Sequence, residues 1–500
     1  MPHSLLEDPA LSPMTRRAAA LAALAAALLA DTPVHAKAPK EGECPEISPS
    51  MAGPDRSEDA TPIKLEEGMI LIEDDLLILR QLIPKEIWNL REVFFHEGMR
   101  MEIGPCHRRY ALPKSYRDAT ERYAGQPRID RKGNLVDYSA GLPFPPDDID
   151  PNAKDAATRW AFDLQQRYRG AGFRGKFRIA DFPSSVGRVM KYEGEFYLIQ
   201  TRHRADLAES DYALADSRQL FASGGEFFKP FDARNIMWRQ FRTTRNEKRH
   251  TEPDDIFVYV PTMRKMRRSA TSWVDGLFLP RYSVAGDSGG GGIAIGGGGA
   301  GGFGAPTGAI NPTAGLSIAV TEDMRRGLTG LTLRANAYQW RFLGEVDVLA
   351  PINGSRTGYP IDKERNFGVS GLSVASDRWD VRHAAVIEGA LRLDNEDVRS
   401  LTVYVDYQTQ QPLFWITRTG RRRLLDIGIL VHRFSDDQVG YPQWPGGTLA
   451  SVFEPVAAVF YTAGSGGGGW RRESYELLST PFSEAEQRRF TTTDAIQHGH

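Results

Sequence analysis

Apolar residues recur along this chain with two different periods, and the period changes near residue 177. Within 74–95, Leu76, Leu77, Leu79 and Leu82 give one apolar face, and Ile87, Leu90, Val93 and Phe94 give another at helical spacing, with a break at Pro84. Segments 114–123 and 155–168 are further helices, the second carrying Trp160, Leu164 and Tyr168 on one stripe. From Phe177 onward, short β-branched and aromatic runs alternate with turns. Strands are expected at 189–191, 195–201, 235–243, 256–260, 331–347, 383–393, 401–407, 413–418, 423–434 and 453–461. Many successive strands without helices between them imply an antiparallel sheet.

Three strands carry the most information. Tyr338, Trp340 and Phe342 share one face, with Gln339 and Arg341 opposite. Leu401, Val403, Val405 and Tyr407 share another, with Thr402, Tyr404 and Asp406 opposite. Both read as one face in a core or cavity and one in water. Within 253–272, Pro253, Asp254 and Asp255 form a turn and 256–260 a strand apolar on both sides, with Phe257 and Tyr259 opposite Ile256, Val258 and Val260. Such a strand is covered on both faces or lines an apolar cavity.

The chain then divides into a signal peptide (1–36), a flexible arm (37–62), a mainly helical region (63–180), an antiparallel sheet region (181–480) and a tail (481–500). Glycine-rich loops fall at 286–304 and 464–469. The signal rests on Arg16 and Arg17, thirteen apolar residues from Ala18 to Ala30, and the small-x-small site Val34-His35-Ala36. Cleavage after Ala36 would send the mature chain to the periplasm. The alternative is a short amphipathic or buried helix. Thr15-Arg16-Arg17 leaves Sec and twin-arginine export both open, and no cysteine at the cleavage point offers a lipid anchor. In an exported chain the two cysteines, Cys44 and Cys106, read as a disulfide, the alternative being two unpaired thiols.

The 62 basic and 64 acidic residues nearly cancel, so bulk charge does not argue for nucleic acid. Local charge does matter. Arg239, Arg242, Arg245, Lys248 and Arg249 approach the turn before Ile256, and Arg264, Lys265, Arg267 and Arg268 follow the strand. Two neighbouring hairpin limbs would gather these cations into a patch for anionic lipid head groups or an acidic partner; the alternative is a solvated strand face carrying salt bridges. Arg421, Arg422 and Arg423 read as a solvated hairpin tip. Gly286-Asp287-Ser288-Gly289-Gly290 matches a serine-protease string but lies in a glycine tract without a matching histidine segment. The same tract lacks the Gly-Lys-Ser/Thr of a phosphate loop. His96, Glu97, Glu102, Cys106 and His107 match no zinc spacing, so no metal and no cofactor are expected.

Residues 253–272, together with REVFFHEGMRMEIGPCHRRY (91–110), GLPFPPDDID (141–150), RYRGAGFRGKFRI (167–179) and YVDYQTQQPLFWI (404–416), resemble the bacterial family known as domain of unknown function 1329. That family is similar to the periplasmic LolA/LolB-like lipoprotein carriers. The resemblance runs from about residue 63 to about residue 478 and implies an α+β fold: a large curved antiparallel half-barrel with helices on its concave side, plus the helical N-terminal region. It further implies a non-enzymatic carrier whose apolar cavity, lined by Phe257, Tyr259, Tyr338, Trp340, Phe342, Val403 and Val405, holds a lipid or lipoprotein acyl chain. A second reading is an accessory that docks on an envelope transporter or outer-membrane protein. A third is a periplasmic hydrolase, which needs converging acids or a Ser–His pair.

Overall fold

The computed structural model describes residues 39–47, 63–182, 189–207, 218–252, 254–261, 264–269, 280–284, 318–322, 332–354, 367–368, 370–392, 398–463 and 469–497. The signal segment, most of the arm, the 286–304 tract with its Gly-Asp-Ser-Gly-Gly string, and all of the second tract except Gly469 lie outside the described residues.

Fifteen strands form one open sheet. In chain order they are β1 Ile70–Leu71, β2 Met101–Cys106, β3 Gly172–Phe182, β4 Met190–Gln200, β5 Gln219–Lys229, β6 Met237–Thr243, β7 Asp255–Val260, β8 Lys265–Ser269, β9 Tyr338–Ala350, β10 Arg378–Leu391, β11 Ser400–Asp406, β12 Pro412–Arg418, β13 Leu424–Phe434, β14 Phe453–Thr462 and β15 Gly469–Leu478. The order across the sheet is 8-7-6-5-4-3-15-14-13-12-11-10-2-1, with β9 also paired to β10. Neighbours run antiparallel except β2, which lies parallel to β10. The expected α+β architecture with a large antiparallel sheet is what the chain adopts. The cationic run after Val260 is itself the edge strand β8, and charge on an edge discourages pairing with another chain.

Helices α1 (Leu76–Leu79), α2 (Lys85–Asn89) and α3 (Arg91–Phe94) fall where the 74–95 periodicity places them, and Pro84 is the N-cap of α2. Helices α4 (Lys114–Arg122) and α5 (Ala156–Gln166) match the other two helical segments. Beyond these, α6 is Thr244–Lys248, α7 Glu484–Thr491 and α8 Asp494–Gln497.

In the middle of the sheet both faces are apolar. Leu401, Val403, Val405, Trp415, Leu430, Ala458 and Phe460 point into one core with Trp160 and Leu164 of α5. Phe414, Ile416, Ile427, Ile429, Val431, Ala457 and Val459 point into a second, with Ile78, Leu79, Ile87 and Phe94. The expected water-facing side of β11 is therefore covered. Tyr404 on that side packs into the second core, because helices α1–α3 lie over it. The cores come close to the backbone at glycines: a Cβ at Gly428 would overlap the Trp415 indole, and one at Gly225 the Trp238 indole.

The segment read as a tail folds onto the sheet. Phe490 of α7 stacks on Tyr197 at 4.1 Å, and Ile496 of α8 joins Met237 and Tyr259. Cys44 and Cys106 are bonded, with 5.2 Å between their Cα atoms, so the first described segment is tied to β2.

Candidate functional site

The residues expected to line an apolar cavity fall on two faces of the sheet. Tyr338, Val403 and Val405 are buried in the first core, with Trp340 and Phe342 half-buried against it. The Trp340 indole donates to the Ala335 carbonyl at 2.8 Å. On β7 it is Ile256 and Val258 that join this core. Phe257 and Tyr259 face the other way, Phe257 toward Phe241 at 6.1 Å and Tyr259 toward Met237 and Ile496. The alternation of a strand puts them there: side chains one position apart point to opposite faces. None of the seven borders the polar cleft described below.

The expected cationic patch is also divided. Arg239 and Arg242 are each 4% exposed. The Arg239 guanidinium lies 5.2 Å from the centre of the Tyr197 ring. Arg242 grips buried Asp254 with two hydrogen bonds, Nε to Oδ1 at 3.1 Å and Nη2 to Oδ2 at 2.9 Å. Arg245, Lys248 and Arg249 are exposed on or after α6, at the end of β6 where Phe241 opposes Asp255. Exposed Arg268 pairs with Asp255 at that same end. Arg264 and Lys265 are exposed at the opposite end, at the β7–β8 turn. The Arg267 side chain lies outside the described residues. Strand direction alone separates these groups, since a hairpin's two ends carry different turns.

Register gathers a different set of residues. Asp181 opposes Met190, Glu193 opposes Lys229, Glu226 opposes Met237 and Val260 opposes Lys265. The β3–β4, β5–β6 and β7–β8 turns therefore share one end of the sheet. Phe231 there is 83% exposed and Phe228 39% exposed. Lys191, Arg234, Arg264 and Lys265 are exposed beside them. The β12–β13 turn, with exposed Arg421, Arg422 and Arg423, lies at this end too, because Arg418 opposes Leu424 and the register continues through Asp426–Thr462 and Trp470–Phe182.

A polar cleft of about 180 Å³ opens where β10 and the turn after β11 meet the N-terminal loops, lined by His107, Arg109, Asp147, Arg382, His383 and Tyr407 among others. His383 lies between two carboxylates, Nδ1 to Asp347 at 2.8 Å and Nε2 to Glu345 at 3.1 Å. Burial pushes its pKa down, but those hydrogen bonds and charges outweigh it and raise the pKa to about 9. His107 is lowered by burial. Arg382 makes a two-pronged contact with Asp406, at 2.7 and 3.0 Å, with both side chains buried. Behind them Asp380 accepts the Tyr110 hydroxyl at 2.7 Å, and burial raises its pKa to about 6. A His383 hydrogen-bonded to two acids is a poor proton acceptor, and among the described residues the lining includes no Ser, Thr, Cys or Lys nucleophile. Among the described residues no three His, Cys, Asp or Glu side chains group as metal ligands. The sequence signal for this network is the alternation Arg378, Asp380, Arg382 along β10, polar residues on the positions between Trp379 and Val381.

With this geometry the chain falls in the class of large open-sheet α+β proteins. Residues 81–280 match the family described as protein of unknown function (DUF1329), the family whose resemblance was read from the sequence. Among solved structures, a DUF1329 family protein from Desulfovibrio piger is similar at 12% identity, over 69% of this chain and 99% of that one, with a TM-score of 0.38. A putative outer membrane lipoprotein-sorting protein domain from Vibrio parahaemolyticus is similar at 10% identity, over 69% and 100%, TM-score 0.37. A LolA superfamily protein from Nitrosomonas europaea is similar at 11% identity, over 68% and 97%, TM-score 0.31. Likenesses this distant carry no argument about function. No curated protein matches the chain.

Proposed function

We propose that this protein is a non-catalytic accessory of the cell envelope that acts by docking a surface. One observation carries the proposal. The middle of the sheet is filled on both faces by the protein's own side chains, while aromatic residues and cations stand exposed together at its turns. A filled core leaves surface contact as the means of action, and exposed apolar groups beside charge are what such a contact uses. The Cys44–Cys106 disulfide supports the export reading, because such bonds persist in oxidising compartments.

Carriage of a hydrophobic ligand is the second reading, favoured by a separate observation. The buried indole N–H groups of Trp238 and Trp415 have no acceptor among the described residues. An ester or amide carbonyl entering with an acyl chain would supply one, and each methylene buried would add about 0.8 kcal/mol.

Native mass spectrometry of the mature protein, before and after solvent extraction, separates the two. Docking predicts the mass of the bare chain in both spectra, with no phospholipid held at fixed stoichiometry. A stoichiometric apolar adduct removed by solvent would instead make the protein a carrier.

A further inference from the structure

We infer that the sheet end bearing the β5–β6 and β7–β8 turns docks on an anionic lipid bilayer, with Phe231 and Phe228 entering the acyl boundary and the neighbouring cations contacting head groups. This rests on the docking reading and names the partner of that same surface.

The argument begins with Phe231. It sits in the turn that joins β5 to β6, and its ring is 83% exposed where a globular fold has no use for it. Phe228, at the end of β5, is the second exposed ring of the same hairpin. Single exposed apolar residues are ordinary; two aromatic rings on one hairpin, flanked by cations, are a different matter. Lys191, Arg234, Arg264 and Lys265 surround them by register, with no ion pair among the described residues. Lys229 is neutralised by Glu193 at 2.9 Å. Glu195 and Glu226 oppose each other within the strands, level with Met237 at the start of β6, and Asp181 is buried. Among the described side chains of the turns themselves, the exposed charge is therefore positive. Arg421, Arg422 and Arg423 add a second basic turn at this end, six strand spacings away, about 29 Å along the sheet edge.

Charge complementarity selects the occupant. Aromatic tips set among lysines and arginines match a membrane interface, where rings enter the acyl boundary and cations meet anionic head groups. Several turns at one end of the sheet suit an extended partner.

The test is co-sedimentation of the mature protein with vesicles of phosphatidylethanolamine and phosphatidylglycerol, and with vesicles of phosphatidylcholine alone. Binding is expected to the anionic vesicles, weakly to the neutral ones, and to fall as salt screens the charges. Phe231→Ser should weaken partitioning roughly tenfold or more. The pair Arg264→Glu and Lys265→Glu should do the same, at on the order of fivefold per charge. Arg245→Glu, exposed at the other end of β6, should bind as the parent does. Thermal melting of each variant guards against misfolding. Absence of binding, equal binding to both vesicle types, or variants that bind like the parent would overturn the inference. If the vesicles are ignored while the native mass is that of the bare chain, the lipid surface is wrong and docking on an acidic protein remains. If an apolar adduct is found, the docking reading itself falls.

Discussion

Strands β11–β14 and strands β4–β8 belong to one sheet, and aromatic and β-branched residues recur in β4–β7 as they do in β11–β14, yet the two regions end differently. In the middle, α5 covers one face and α1–α3 the other, so Val403, Trp415, Ile429 and Val459 have less than a tenth of their surface in water. In the wing, one face meets the first core and the other meets α7 and α8, but the β5–β6 turn leaves Phe231 in solvent and Phe228 at the end of β5 is partly exposed. The apolar character of a single residue does not decide its fate, since Phe228 and Phe231 are as apolar as Phe414. What distinguishes them is whether another element reaches the residue, and that depends on topology.

Substitutions should separate the regions sharply. Trp415→Ala removes a ring that fills the space above Gly428 and should cost about 3–5 kcal/mol in denaturant unfolding. Arg382→Met should cost a similar amount, about 3–5 kcal/mol, because it strands the buried Asp406 carboxylate. Adding Asp406→Leu should recover part of that loss. Gly428→Ala pushes a methyl into the same indole and should cost about 1–3 kcal/mol. Phe231→Ser should change stability by less than about 0.5 kcal/mol, while altering surface binding. A large stability loss at Phe231, or none at Trp415, would erase the contrast.

A smaller effect is the dependence on pH. His383 is raised in the folded protein to about 9 from an ordinary 6.5. Its contribution is therefore complete below pH 6.5 and is lost as pH rises through 9. Buried Glu454, raised by burial to about 7 from 4.5, pulls the same way, contributing below pH 4.5 and fading as pH passes 7. Melting temperature should fall between neutral pH and pH 9.5, and His383→Gln should flatten the upper part of that fall.

Much of the sheet was legible because its strands alternate or run apolar between turns, as at 401–407 and 413–418, where β11 and β12 form within a residue of the expected limits. Other strands were hidden for identifiable reasons. β5 was not among the expected strands: its pair Gly224-Gly225 offers no side chains to alternate, and Tyr197 and Trp238 occupy the space that they would fill. β15, with its charged run Arg471, Arg472, Glu473, was not among the expected strands, yet Arg471 and Glu473 are buried as an ion pair, with the guanidinium 4.8 Å from the centre of the Phe460 ring. The helices α1–α3 were visible as periodicity, but not the face they would cover, which is why Tyr404 was assigned to water. The candidate site was the least legible part. Cations close in sequence, such as Arg242 and Arg245, divide between the interior and the surface. Residues far apart in sequence, Phe231 and Arg264, are brought together only by the pairing of β6 with β7.

Hydrogen exchange followed by mass spectrometry, with and without anionic vesicles, tests the contrast most directly. The account predicts slower exchange confined to the turns at 228–236 and 261–265, with β11–β14 unchanged. Faster exchange through β11–β14, as the filled middle opens to admit lipid, or unchanged exchange at the turns, would contradict it.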